Sequence, residues 1–120
     1  MLDQDFVLIR NRTAKFDIAA TLNGSPWPLT GVTLKFAMKK STGDRDADAL
    51  AVKTIGNGIA IVDAAAGTAR LQIDPVDTTS LPAVGVNRIH WDLAGIDGGD
   101  RWELARGQFR VEPDVVHDVP

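Results

Sequence analysis

Val32-Thr33-Leu34-Lys35-Phe36-Ala37-Met38-Lys39 alternates apolar and polar side chains, broken only by the small Ala37. Successive side chains of a strand point to opposite faces. This stretch therefore offers Val32, Leu34, Phe36 and Met38 to a core and turns Thr33, Lys35 and Lys39 to water. The same period runs through Ala14, Phe16, Ile18, Ala20 and Leu22, through Ala69, Leu71 and Ile73, and through Ile89, Trp91 and Leu93. Four amphipathic strands in a chain of 120 residues make it an all-β domain. The expected core is Phe16, Ile18, Leu34, Phe36, Leu71, Ile73, Trp91 and Leu93.

Weaker strand signals fill the intervals. Phe6 to Arg10 opens the chain, Leu50 to Ile55 and Ile59 to Val62 form a middle pair, and Arg101 to Leu104 with Phe109 to Val111 close it. Gly107, inside the last segment, marks a bulge or a close approach of backbone. Asn23-Gly24 and Gly98-Gly99 supply the positive φ of tight hairpin turns. Pro26 and Pro28 flank Trp27 and argue against a central strand there. Asp74-Pro75-Val76-Asp77-Thr78-Thr79-Ser80-Leu81 alone resists a strand reading, and it predicts one short helical turn near 76–81. Short strands at regular spacing with burial on two sides predict an immunoglobulin-like β-sandwich of about 7–9 antiparallel strands. Residues 1–112 form this single domain, and 113–120 form a C-terminal arm.

Composition narrows the function classes. Thirteen Lys and Arg against 16 Asp and Glu leave a formal charge of −3, the wrong sign for binding a phosphate backbone. No nucleic-acid partner is expected. No apolar stretch approaches the roughly 20 residues of a membrane helix, and the acidic start Met1-Leu2-Asp3-Gln4-Asp5 is unlike a signal peptide. Membrane insertion is not expected either. The chain has no Cys, which removes disulfides, thiolate catalysis and Cys-ligated metals together.

The candidate reaction constellations are thin. Asp44, Asp46 and Asp48 have the spacing that opens a calcium loop, but Ala49 and Ile55 stand where its glycine and its bidentate glutamate belong. A solvated polar loop is the better account. Asp97 and Asp100 around Gly98-Gly99 are ordinary hairpin chemistry. His90 and His117 lack the further donors of a zinc site. No serine sits in a Gly-x-Ser-x-Gly elbow, and no glycine-rich phosphate loop is present. No catalytic residue, metal or cofactor is assigned, and the chain is not expected to be an enzyme. Trp91 belongs to an apolar phase and Trp102 to the core or its edge. Trp27, on a loop between two prolines, is either a plug for one end of the sandwich or an interface residue. Val115, Val116 and Val119 put apolar side chains on the arm, where they can fold back or lie across a neighbouring subunit.

Several strings occur in a telling order. They are Phe6-Val7-Leu8-Ile9-Arg10 followed by Thr13 to Leu22, Leu29-Thr30-Gly31-Val32 running into Thr33 to Lys39, Asp77-Thr78-Thr79-Ser80-Leu81 with Gly85 and Ile89 to Leu93, and Gly107-Gln108-Phe109-Arg110-Val111. Together they resemble the immunoglobulin-like domain at the N-terminus of phage baseplate upper proteins and related phage or prophage tail structural proteins. Asn11-Arg12 departs from the Gly-Asp that the family tends to carry before its second strand. The resemblance implies a virion structural module, made in the bacterial cytoplasm, that docks to other phage structural proteins and has no catalytic residues. Open sheet edges and the arm add the expectation of a homo-oligomer. The alternative is a carbohydrate- or cell-surface-binding immunoglobulin-like module that uses Trp27 or another loop aromatic.

Overall fold

The computed structural model describes residues 2–116, and its regular elements are strands and two single 3-10 turns. The strands are β1 (Leu2–Asp3), β2 (Phe6–Ile9), β3 (Ala14–Ala19), β4 (Thr21–Leu22), β5 (Ser25–Pro26), β6 (Thr33–Lys39), β7 (Ala51–Ile55), β8 (Gly58–Asp63), β9 (Thr68–Ile73), β10 (Asn87–Asp97) and β11 (Asp100–Glu112). Nine of them form one sheet in the order β1-β11-β10-β6-β7-β8-β9-β3, with β2 also on β11. β4 and β5 make a separate hairpin, turned by Asn23 and Gly24 at φ of 53° and 79°. The sheet rolls until its ends nearly meet. Phe6 on β2 and Phe16 on β3 sit at opposite ends of the strand order, yet their ring centroids are 4.3 Å apart. The shape is close to a barrel.

The sheet is mixed, where antiparallel pairing was expected. β1 and β2 both run parallel to β11, and β7 meets β8 in parallel over two residue pairs. β7 and β8 are separated by Gly56-Asn57 alone, but nearly the whole domain lies between β2 and β11, so no local turn signal announces that pairing. The helical turn expected near 76–81 is a 3-10 turn at Pro75–Asp77, continued by a turn from Thr78 to Leu81. Asp74 and Asp77 cap each other's backbone reciprocally there, and a segment so short closes i→i+3 bonds more readily than an α-helix.

The closing segment is one strand of 13 residues, not two pieces. Its irregularity falls before Gly107. Leu93 pairs with Ala105 but Ala94 pairs with Glu103, so Leu104 is an extra residue and both Leu104 and Ala105 face the core. Gly107 instead marks a close approach, since a Cβ there would lie 1.6 Å from the carbonyl oxygen of Gln4.

Alternation places the interior correctly on β6, β9 and β10. Leu34, Phe36, Met38, Leu71, Ile73, Ile89, Trp91 and Leu93 are buried, as is Ile18 on β3. Phe16 is only half-buried, because β3 ends the strand order. Phe6, Phe16, Phe36, Trp91 and Phe109 form an aromatic centre with neighbouring centroids 4.3 to 6.2 Å apart. Such pairs each contribute about 0.5–1.5 kcal/mol beyond the area they bury.

Two ionic clusters fasten the periphery. Lys53 is 6% exposed, and its ammonium lies 2.8 Å from Asp77 and 3.2 Å from Asp74. Arg10 donates to the carbonyls of Leu81 and Thr79 and to Asp114 at 3.0 Å, while Arg12 donates to the carbonyl of Val116. The first part of the arm is therefore anchored, with Asp114 itself buried.

Candidate functional site

The outer face of β6, β10 and β11 carries the polar phases of three strands. On β6 these are Lys35, Ala37 and Lys39, and on β10 His90 and Asp92. β11 contributes Glu103, Arg106 and Gln108. Ala37, the one small residue in its row, lies in the floor of an open groove of about 650 Å³. His90, Asp92, Glu103, Arg106 and Gln108 line it from the strands, Thr42 comes from the following loop, and Asp5 lies between β1 and β2. The Asp5 carboxylate accepts from the backbone N–H of Gln108 at 2.9 Å, which holds the N-terminal segment against this face.

Asp92 and Glu103 are the chemical centre of the groove. Asp92 lies near enough to Glu103 that its charge disfavours the ionised form of the Glu103 carboxyl. Burial of the Glu103 carboxyl is the first cause of its shift, and the charge and hydrogen bond of Asp92 follow; Arg106 opposes them. The net result lifts Glu103 to about 7. Its position depends on the irregularity at Leu104. With an unbroken register Ala94 would face Leu104, and Glu103 would change faces.

The cation at the groove's other end is already engaged. The Lys39 ammonium donates to the carbonyl of Asp44 at 2.9 Å and to the Asp46 carboxylate at 2.7 Å. Asp46 also accepts from Lys35, and these two hydrogen bonds hold its carboxyl down at about 2. Asp48 pairs with Arg45, and Asp44 accepts from the N–H of Ser41. The run Asp44, Asp46, Asp48 is thus three separately partnered acids around a loop. Among the described residues no group of three His, Asp or Glu is placed to hold a metal ion.

The other residues singled out from sequence are not brought together. Trp27 is half-buried and packs against the core, its ring edge over Gly95, where a Cβ would lie 3.1 Å from Trp27 Cζ3. Gly95 stands near the β10–β11 turn, whereas the arm leaves from the far end of β11. Val115 and Val116 are 93% and 56% exposed there. Val119 and His117 lie outside the described residues. Trp102, expected at the core or its edge, is an exposed side chain at 38%.

The groove was missed from sequence because Asp92 and Glu103 are eleven positions apart on different strands. One signal was available. Leu104 shares a parity with Trp102, whereas Ala105, Gly107, Phe109 and Val111 share the other. That switch announces the extra residue and the outward turn of Glu103.

No protein-family model matches the chain, and no curated protein matches it.

Proposed function

We propose that this domain is an immunoglobulin-like structural module of a phage or prophage tail, baseplate-like, which acts by docking to other virion proteins and not by catalysis. The observation that carries the reading is how the sheet divides. β7 and β8 are joined by two residue pairs only, and cutting there leaves β11-β10-β6-β7, with β1 and β2 both on β11, and β8-β9-β3. On this reading β11-β10-β6-β7 correspond to the G-F-C-C′ side of an immunoglobulin-type sandwich and β8-β9-β3 to its D-E-B side. The ordered strings from Phe6 to Val111 that resemble baseplate upper proteins add the tail context.

On this reading the partners are other phage structural proteins and further copies of the chain. The domain is made in the bacterial cytoplasm and neither binds nucleic acid nor inserts into a membrane. Quantitative mass spectrometry of purified virions and tail intermediates from a host carrying the gene tests it. The chain is expected at a fixed ratio to tail proteins, and its absence from every assembly would overturn the reading.

A second reading is a carbohydrate- or cell-surface-binding module, favoured by the polar lining of the outer groove. Glycan-array binding lost in Asp92→Ala but kept in Trp27→Ala would support it and assign it to the groove.

A further inference from the structure

We propose that the free edge of β3 pairs with β3 of a second copy, antiparallel about a two-fold axis at Phe16. This rests on the docking reading above and names its first partner. β3 pairs with β9 along one edge and is the last strand of the order along the other. An unpaired edge of six residues without proline exposes a row of N–H and C=O groups that can add a strand. Apolar side chains collect at the seam. Phe6, Ala14 and Phe16 are the half-buried members packed against the core on β2 and β3, and the Phe6 and Phe16 rings are in contact.

Charge selects the occupant. Lys15 and Asp17 flank Phe16 on the exposed face. In an antiparallel pair centred on Phe16, Lys15 of each copy stands opposite Asp17 of the other, and the apolar faces continue into each other. Centring on Lys15 would oppose two lysines, and centring on Asp17 would oppose two aspartates, both unfavourable. Within one chain the Asp17 carboxylate already accepts from Arg70 of β9, at 2.8 and 3.3 Å, while Lys15 has no ion-pair partner among the described residues. Pairing therefore extends Arg70–Asp17 into a row that ends on the lysine of the neighbouring copy, twice over. A lysine on an edge discourages indiscriminate pairing. This one is matched only by a strand that carries an acid two positions on, as β3 itself does.

Sedimentation equilibrium of the full chain from about 10 µM to about 1 mM gives the first readout, since dimer population must rise with concentration. Hydrogen exchange over the same range gives the second, and the β3 amides that face away from β9 should gain protection as dimer forms. Lys15→Glu alone and Asp17→Lys alone should each weaken self-association about tenfold or more, by placing like charges opposite each other. An equimolar mixture of the two should restore it, because both cross-strand pairs of the mixed dimer again set an acid opposite a base. A chain that stays monomeric throughout, or a dimer with no added protection on β3, overturns the proposal. So does a dimer indifferent to both variants, or a mixture that fails to recover when each variant retains the β-sheet circular dichroism of the parent. The exchange measurement needs no variant, so it decides the question even if Asp17→Lys does not fold. A monomer that is nonetheless found in virions removes the β3 pairing alone, and a dimer absent from virions removes the tail reading alone.

Discussion

Glu103 links folding to pH, and Glu103→Gln isolates the effect. Its carboxyl is raised from 4.5 to about 7 by burial first and by Asp92 second. The folded state thus holds a proton that the unfolded chain releases at lower pH. The stabilisation from that proton is complete below about 4.5 and disappears as pH rises through about 7. At about 1.4 kcal/mol per unit the ceiling is about 3 kcal/mol. Glu103 is an exposed residue at the groove wall, so solvent screening reduces this to about 1–2 kcal/mol. Glutamine keeps the shape and a hydrogen-bond donor for Asp92 but carries no charge. Urea denaturation of both proteins should give equal stabilities near pH 4.5, and the variant should lead by about 1–2 kcal/mol at pH 8.5. A difference that stays flat between pH 5 and 9, or a variant less stable than the parent at pH 8.5, would refute the argument.

Other outcomes follow from particular contacts. Asp17, Asp46 and Asp74 are all held below the usual carboxylate range by hydrogen bonds, to Arg70, to Lys35 and Lys39, and to Gln72 and Lys53 respectively. Their stabilisation is present above the unfolded-state value and fades as pH falls through the lowered ones, so thermal melts of the parent should peak in mild acid and decline on both sides. Phe36→Ala removes a ring with no exposure from the aromatic centre and should cost about 3–5 kcal/mol in urea denaturation. Gly107→Ala sets a methyl group against the carbonyl of Gln4, so the β1 pairing with β11 should open and the amides of Gln4 and Gln108 should lose exchange protection. Asp114→Ala leaves the Arg10 guanidinium with carbonyl partners only and should cost about 1–3 kcal/mol, read as a lower melting temperature and faster proteolysis after Glu112.

How far the sequence could be read depends on the range of the interaction. The alternations at Leu34-Phe36-Met38, Ala69-Leu71-Ile73 and Ile89-Trp91-Leu93 are local, each repeating a decision between water and core, and each matches the observed burial. Phe16 obeys the same alternation but is less buried, because the position of β3 at the end of the order is a property of the whole sheet. The parallel placement of β1 and β2 beside β11 joins segments about a hundred residues apart and leaves no turn residue to read. Asp114 looked like part of a loose arm for the same reason, since its partners Arg10 and Arg12 lie at the other end of the chain. The groove combines both limits. It needs the β10–β11 register to bring Asp92 and Glu103 together, and an inserted Leu104 to turn Glu103 outward.

The parallel pairing of β2 with β11 has a mechanical meaning. Because the two strands run in the same direction, tension applied between Phe6 and Glu112 acts along the ladder and not across it. The connections from Phe6–Phe109 to Ile9–Glu112 then share the load and must give way together, whereas an antiparallel hairpin pulled by its two ends unzips one rung at a time. Arg10, bound to Asp114 just past the end of both strands, adds a rivet at the point where slippage would begin. Resistance to force is set by the unfolding rate and not by equilibrium stability. A domain joined in shear in this way can transmit a pull along its length while remaining only marginally stable to heat.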